Sequence, residues 1–179
     1  MFLLITGASG VGKTTVRRLV QGGFARVLDA TELSDVAGPP QATPGWRQHA
    51  VEHAVQRALA AQRVGRHFLL CGDPLAPAGL LATPSATRLK GLAVCLLDAS
   101  EDAHRRRLFL RGDAPADMAR HVAFADWLRA HVVDAARPPR WTTQVIDTSE
   151  LRDYEVAARV WLWMRRSIGL RARLRVARR

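Results

Sequence analysis

The amino-acid sequence predicts an α/β fold in which helices cover a parallel β-sheet. Short apolar runs alternate with longer amphipathic segments, which is the pattern of strands and helices in such proteins. A glycine-rich segment directly follows the first apolar run, at the junction of a predicted strand and a predicted helix. The 179 residues contain no internal repeat and no linker rich in Gly, Ser or Pro. We therefore expect one domain over 1–168, followed by a basic tail over 169–179.

The apolar and amphipathic segments set the expected order of elements. Segment 46–63 is typical of a helix, because apolar residues recur along it at intervals of three and four. Segment 30–45 is polar and broken by prolines, which predicts an irregular connection of the kind that often carries function. Strands are predicted over 2–6, 24–29, 67–71, 91–98 and 143–147, and helices over 13–21, 46–63, 100–111, 116–133 and 151–168.

The formal net charge of +11 is compatible with a nucleic-acid partner. The positive charge is concentrated in two places, however: an arginine cluster at 105–111 and five arginines within 169–179. The chain has no run of the roughly 18 apolar residues that a membrane span requires. Its first apolar run, 2–5, is too short for the core of a signal peptide, so we expect a cytoplasmic protein without a membrane partner.

Residues 7–14 read GASGVGKT and match the phosphate-binding pattern G-x-x-x-x-G-K-[ST] in full. Glycines allow backbone N–H groups to approach a phosphate closely, and the following helix directs its free N–H groups at the same anion. We expect Lys13 to reach the β- and γ-phosphates and the hydroxyl of Thr14 to bind Mg²⁺. The residues predicted to bind the nucleotide are Gly7, Ala8, Ser9, Gly10, Val11, Gly12, Lys13, Thr14 and Thr15.

From this loop onward the chain resembles the small P-loop kinases, which include the nucleoside-monophosphate, shikimate, gluconate and antibiotic kinases. The resemblance covers 1–168 in element order, and the phosphate loop is its specific motif. It implies a three-layer sandwich around a five-stranded parallel sheet of order 2-3-1-4-5. It also implies an acceptor region at about 30–63, an arginine-bearing lid at about 100–115, and a requirement for ATP and Mg²⁺.

Further site residues follow from this resemblance. Asp29, at the end of the second predicted strand, would orient or deprotonate the acceptor hydroxyl. Asp73 follows the third strand and would hold Mg²⁺ through a water molecule or face the acceptor. Arg107 and Arg111 lie four residues apart in the lid segment and would neutralise charge on the transferred phosphoryl group. Turn-forming aspartates and a solvated basic face are the structural alternatives. The predicted catalytic residues are Lys13, Asp29, Asp73, Arg107 and Arg111, the predicted metal ligands are Thr14 and Asp73, and residues 147–149 occupy the place of the adenine loop.

The resemblance implies an ATP- and Mg²⁺-dependent phosphotransferase that moves the γ-phosphate directly to a hydroxyl of a small molecule. Two alternatives stay open: a kinase of nucleic-acid ends, which the basic tail favours, and a nucleotide-dependent switch with slow hydrolysis. The sequence has no Asn-Lys-x-Asp motif, which argues against an ordinary GTPase. Residues 29–48, which include the first part of the acceptor region, carry three acidic residues and Arg47, a composition that suits a small acceptor better than a polyanion.

Overall fold

A five-stranded parallel sheet forms the centre of the structure, which is a computed structural model of the chain. It describes residues 1–24, 26–37, 45–73, 76–133 and 141–176. The strands are β1 (Phe2–Thr6), β2 (Leu28–Glu32), β3 (His67–Cys71), β4 (Leu92–Asp98) and β5 (Trp141–Asp147). The helices are α1 (Lys13–Gln21), α2 (Leu33–Ala37), α3 (Trp46–Arg63), α4 (Pro77–Leu81), α5 (Glu101–Arg111), α6 (Pro115–Val133) and α7 (Asp153–Val176), with short 3-10 helices at Gly22–Phe24 and Pro84–Arg88.

The strands follow the order β2-β3-β1-β4-β5, and every neighbouring pair is parallel. The predicted fold class and strand order are therefore confirmed. Because all strands run the same way, their carboxyl ends meet at one edge of the sheet, which is where ligands bind in open α/β folds. The phosphate-loop motif follows β1 at that edge.

Alternation along β1 divides the core into two apolar clusters. Leu3 and Ile5 belong to the cluster that includes buried residues of α1 and α7, whereas Phe2 and Leu4 belong to the cluster formed with α3 and α6. A strand directs successive side chains to opposite faces, so a fully apolar strand such as β1 requires cover on both sides. The result is the expected three-layer arrangement.

The position of β2 differs from the prediction. The predicted strand 24–29 is displaced, since residues 22–24 form a 3-10 helix and β2 runs from Leu28 to Glu32. Pairing with β3 sets this register, from Leu28 opposite His67 to Glu32 opposite Cys71. β2 is an edge strand in which only two of the five residues are buried. Its sequence is therefore only weakly apolar, and the bounds of the strand could not be predicted well from hydrophobicity.

The predicted loop 30–45 is also partly wrong, because it contains the end of β2 and all of α2. The rest of it, 38–44, lies outside the described residues. At the other end of the chain, the helical backbone of α7 continues to Val176, so the final helix takes in much of the predicted tail. Within the described ranges, no helix has the length and hydropathy needed to cross a membrane.

Candidate active site

The phosphate-loop motif connects β1 to α1 and packs against the end of β4. Gly7 has φ +152°, and a Cβ at this position would lie 2.4 Å from the carbonyl oxygen of Leu97. No side chain can fit against that backbone oxygen, so the first glycine of the motif is required by the close approach of the loop to β4. α1 then begins at Lys13, and its first free N–H groups face the same edge of the sheet.

The Lys13 ammonium group lies within the loop. Its Nζ donates hydrogen bonds to the carbonyl oxygens of Gly7, at 2.7 Å, and Ala8, at 2.8 Å. Burial lowers the pKa of Lys13, and the negative charge of Asp73 partly offsets this effect. A partly buried lysine whose hydrogen bonds among the described residues go to neutral carbonyls is a strong attractor for an anion, which is the property that phosphate binding requires.

A cavity of about 160 Å³ opens beside the loop, at the carboxyl ends of β2 and β3. Lys13 and Thr14 line it from α1, and two carboxylates, Glu32 and Asp73, line it from the strand ends. The aromatic ring of Trp46, from the first turn of α3, contributes to its wall. The cavity therefore combines a cation, a hydroxyl, two carboxylates and an aromatic surface.

Asp73 lies at the position expected from the sequence. It follows β3 by two residues and lines the cavity together with Thr14. Its carboxylate forms an ion pair with Arg47 of α3, with Arg47 Nη1 3.6 Å from Asp73 Oδ2. Arg47 also donates a hydrogen bond to the backbone carbonyl of Asp73. The structure thus brings together the two residues that were predicted to bind the metal.

Asp29 does not lie at this cavity. It is the second residue of β2, opposite Phe68 near the start of β3, and therefore belongs to the amino-terminal end of the strand. Its carboxylate accepts a hydrogen bond from Arg66 Nε at 2.9 Å. The prediction that Asp29 ends the second strand is wrong because β2 extends three residues further than expected.

Glu32 occupies the place that was assigned to Asp29. It is the last residue of β2, and one of its carboxylate oxygens, Oε1, accepts a hydrogen bond from Arg17 Nε at 3.0 Å. Its backbone N–H donates to Asp35 Oδ2 in α2, which anchors the strand end. The sequence offered one signal that the strand continues past Asp29: Thr31 is β-branched, and β-branched residues favour strands.

The two predicted lid arginines contact different parts of the site. Arg111 Nη1 donates to the Ser9 hydroxyl at 2.9 Å, within the phosphate loop. Arg107 Nη1 donates to the hydroxyl of Thr148 at 2.8 Å, in the segment after β5. The two predicted lid arginines therefore bond to different segments of the chain, although both lie on α5.

Arg111 is held in place by an acidic neighbour beyond the end of α5. Its Nε donates to Asp113 Oδ1 at 2.7 Å, and a second bond joins the same two groups. These hydrogen bonds raise the pKa of Arg111 and lower the pKa of Asp113. His121 of α6 adds a further contact to Asp113, with 3.7 Å between His121 Nε2 and Asp113 Oδ2.

The donor set at the cavity suits Mg²⁺ rather than a metal held by protein alone. Among the described residues, no group of three or more His, Cys, Asp or Glu side chains could hold a metal ion. Mg²⁺ is usually bound by one or two carboxylates together with substrate phosphates and water molecules. The hydroxyl of Thr14 and the carboxylate of Asp73, both lining the cavity, meet that description.

The phosphate-loop motif, the strand order and the cavity at the strand ends define a P-loop protein with the fold of the small-molecule kinases. Solved structures that are similar to the chain bear this out. One is a sugar kinase from a Janibacter species, 17% identical over 91% of this chain and 93% of that chain, with a TM-score of 0.63. Another is a gluconokinase from Sinorhizobium meliloti, 15% identical over 87% and 86% of the two chains, with a TM-score of 0.56.

No family model matches the sequence, and no curated protein matches it either. At these levels of identity the likeness to solved structures shows the fold. The chemistry must be argued from the residues at the cavity.

Proposed function

We propose that the protein is an ATP- and Mg²⁺-dependent kinase that transfers the γ-phosphate to a hydroxyl group of a small molecule. One observation supports this most directly: Lys13 and Thr14 of the phosphate loop share a cavity with the carboxylates of Glu32 and Asp73. Phosphoryl transfer requires a phosphate cradle, a metal ligand and a group that orients the attacking hydroxyl, all within a few ångströms.

The phosphate loop binds and orients the nucleotide phosphates. Its backbone N–H groups and the amino terminus of α1 donate hydrogen bonds to the phosphate oxygens, and Lys13 exchanges its bonds to Gly7 and Ala8 for the β- and γ-phosphates. The Thr14 hydroxyl and Asp73 would hold Mg²⁺, which would neutralise charge on the phosphates. Arg111, already in contact with Ser9, is the lid arginine best placed to add positive charge there.

Glu32 orients the acceptor hydroxyl. Arg17 engages Glu32 Oε1, which leaves the second carboxylate oxygen for an acceptor in the cavity. A carboxylate in this place accepts the hydroxyl proton as the bond to phosphorus forms. Trp46 supplies an apolar surface against which the carbon skeleton of the acceptor packs.

The charges at the cavity favour an acceptor without phosphate groups. Glu32 is paired with Arg17, and Asp73 is paired with Arg47. Among the described residues that line the cavity, Lys13 is the one cation, and in our proposal it binds the nucleotide. A polyhydroxylated compound, whose hydroxyls donate to carboxylates, fits this set better than a polyanion.

The nucleic-acid alternative rests on the net charge of +11 and on the five arginines within 169–179. Binding through such a tail would be non-specific and would weaken steeply with salt. We expect deletion of 171–179 to leave small-molecule phosphorylation largely intact. Efficient, salt-tolerant phosphorylation of a 5′-hydroxyl oligonucleotide that requires the tail would instead support the nucleic-acid alternative.

The experiment that tests the proposal compares the two lysines of the chain. Lys13→Ala removes the cation at the phosphate loop, whereas Lys90→Ala makes the same change just before β4, at the opposite edge of the sheet. Calorimetric titration should show Mg-ATP binding to wild type and to Lys90→Ala, and a loss of at least about a hundredfold in affinity for a folded Lys13→Ala. Labelled ATP with a panel of sugars, polyols, sugar acids and nucleosides then identifies the acceptor class. Equal Mg-ATP affinity in all three proteins would contradict the proposal.

A further inference from the structure

One face of α5 lies directly against the phosphate loop. Its residues 104, 108 and 111 follow helical spacing and contact two successive loop residues, Ser9 and Gly10. His104 Nε2 lies 2.6 Å from the carbonyl oxygen of Ser9. A Cβ on Gly10 would lie 3.0 Å from Leu108 Cδ2, so glycine permits this close contact. Arg111 completes the set through the Ser9 hydroxyl.

His104 is the buried polar member of this set. Its relative exposure is 1%, whereas the Arg111 side chain is 45% exposed. Burial lowers the pKa of His104, so the imidazole is neutral near pH 7 and carries a single N–H. A carbonyl oxygen can only accept, and the proton therefore lies on Nε2 and is donated to Ser9.

This hydrogen bond fixes the orientation of one peptide plane in the loop. The Ser9 carbonyl and the Gly10 N–H belong to the same planar trans peptide and point in opposite directions. With the carbonyl held against α5, the Gly10 N–H must point away from α5. Glycine alone would not enforce this orientation, because Gly10 has φ +87° and glycine samples many conformations at little cost.

We propose that His104 is a positioning residue for nucleotide binding, which holds the Ser9–Gly10 peptide so that the Gly10 N–H is presented to the phosphate. The proposal depends on the nucleotide binding proposed above and adds a residue from α5 to the phosphate cradle. Preorganisation of this kind strengthens binding by removing the entropy cost of ordering the loop. A leucine at this position would satisfy packing, but it would leave the loop carbonyl without its buried donor.

The test separates the hydrogen bond from general stability. His104→Phe keeps a buried ring but removes the donor, whereas His104→Gln keeps an N–H at a similar distance from the backbone. Leu128→Ala, in the core on α6 and 2% exposed, controls for lost stability alone. We expect His104→Phe to weaken Mg-ADP binding about tenfold, the value of one hydrogen bond. His104→Gln and Leu128→Ala should stay within about threefold of wild type.

A measurement on the wild-type protein covers the case in which His104→Phe does not fold. Hydrogen exchange of the Gly10 amide should slow by at least about tenfold when saturating Mg-ADP is added. Absence of this protection, or wild-type Mg-ADP affinity in a folded His104→Phe, would overturn the role of His104 while leaving the proposed kinase intact. Failure of wild type to bind Mg-ADP would overturn both.

Discussion

Arg17 Nε lies 3.0 Å from Glu32 Oε1, and this ion pair joins the helix after the phosphate loop to the strand that ends at the cavity. Both side chains are partly buried, at 16% and 22% exposure. Arg17 also donates to Gln21 Oε1 at 3.1 Å, one turn further along α1. The contact links the phosphate-loop side of the cavity to the β2 side.

We expect this pair to show measurable coupling in a double-mutant cycle. Arg17→Gln, Glu32→Gln and the double variant should give a coupling energy of about 1 kcal/mol in urea unfolding, near the upper end of values for exposed pairs because this pair is partly buried. Mg-ADP affinity should stay within about twofold in the single variants, since neither side chain binds phosphate in our proposal. A coupling energy near zero would mean that the contact does not hold Glu32.

Asp73 and Asp29 should behave differently when each is changed to asparagine. Asp73→Asn removes a ligand of Mg²⁺ in our proposal, so we expect the Mg²⁺ concentration needed for half-maximal ATP binding to rise about tenfold. Asp29→Asn weakens a half-exposed ion pair with Arg66 and should lower stability by no more than about 1 kcal/mol, with unchanged Mg²⁺ dependence. Magnesium titrations at fixed ATP measure both effects, and an equal shift in the two variants would contradict the assignment.

The pH dependence of stability should depend on His104. Because burial lowers its pKa in the folded protein, the unfolded chain binds a proton more readily, and stability falls as the pH drops below about 6.5. His104→Gln removes this group, so the free energy of unfolding of the variant should fall less than that of wild type between pH 7.5 and pH 5.5. Burial also lowers the pKa of His67. Because His67 is present in both proteins, part of the pH dependence of stability should remain in His104→Gln. Urea unfolding of wild type and His104→Gln across this pH range measures both free energies of unfolding. An equal loss of stability in the two proteins would contradict a neutral, buried His104.

The local elements of the site were predictable because each depends on adjacent residues. Strand β3 and helix α3 have the bounds that their composition predicted, and the loop motif lies between a strand and a helix as expected. Apolar periodicity and glycine spacing report backbone preferences that act within a few residues. The position of Asp73 at the carboxyl end of β3 was predictable for the same reason, since it follows a buried strand that is easily identified.

The contacts between distant parts of the site could not be predicted from local sequence. Arg107 and Arg111 share the face of one helix, yet they bond to Thr148 and Ser9, which come from distant parts of the chain. His104 is 95 residues from Ser9 in sequence. Such pairs form only when separate elements pack, and no local preference of either partner encodes them.

The sequence by itself determined that a phosphate-loop motif follows the first strand of a parallel sheet, because eight contiguous residues specify its glycines and its lysine. Tertiary structure decided which carboxylate at β2 faces the cavity. Hydrogen bonding to β3 sets the register of β2, and that register places Asp29 beside Arg66 and Glu32 beside Arg17. The register of an edge strand is a property of the pair of strands, so the sequence of β2 alone could not reveal it.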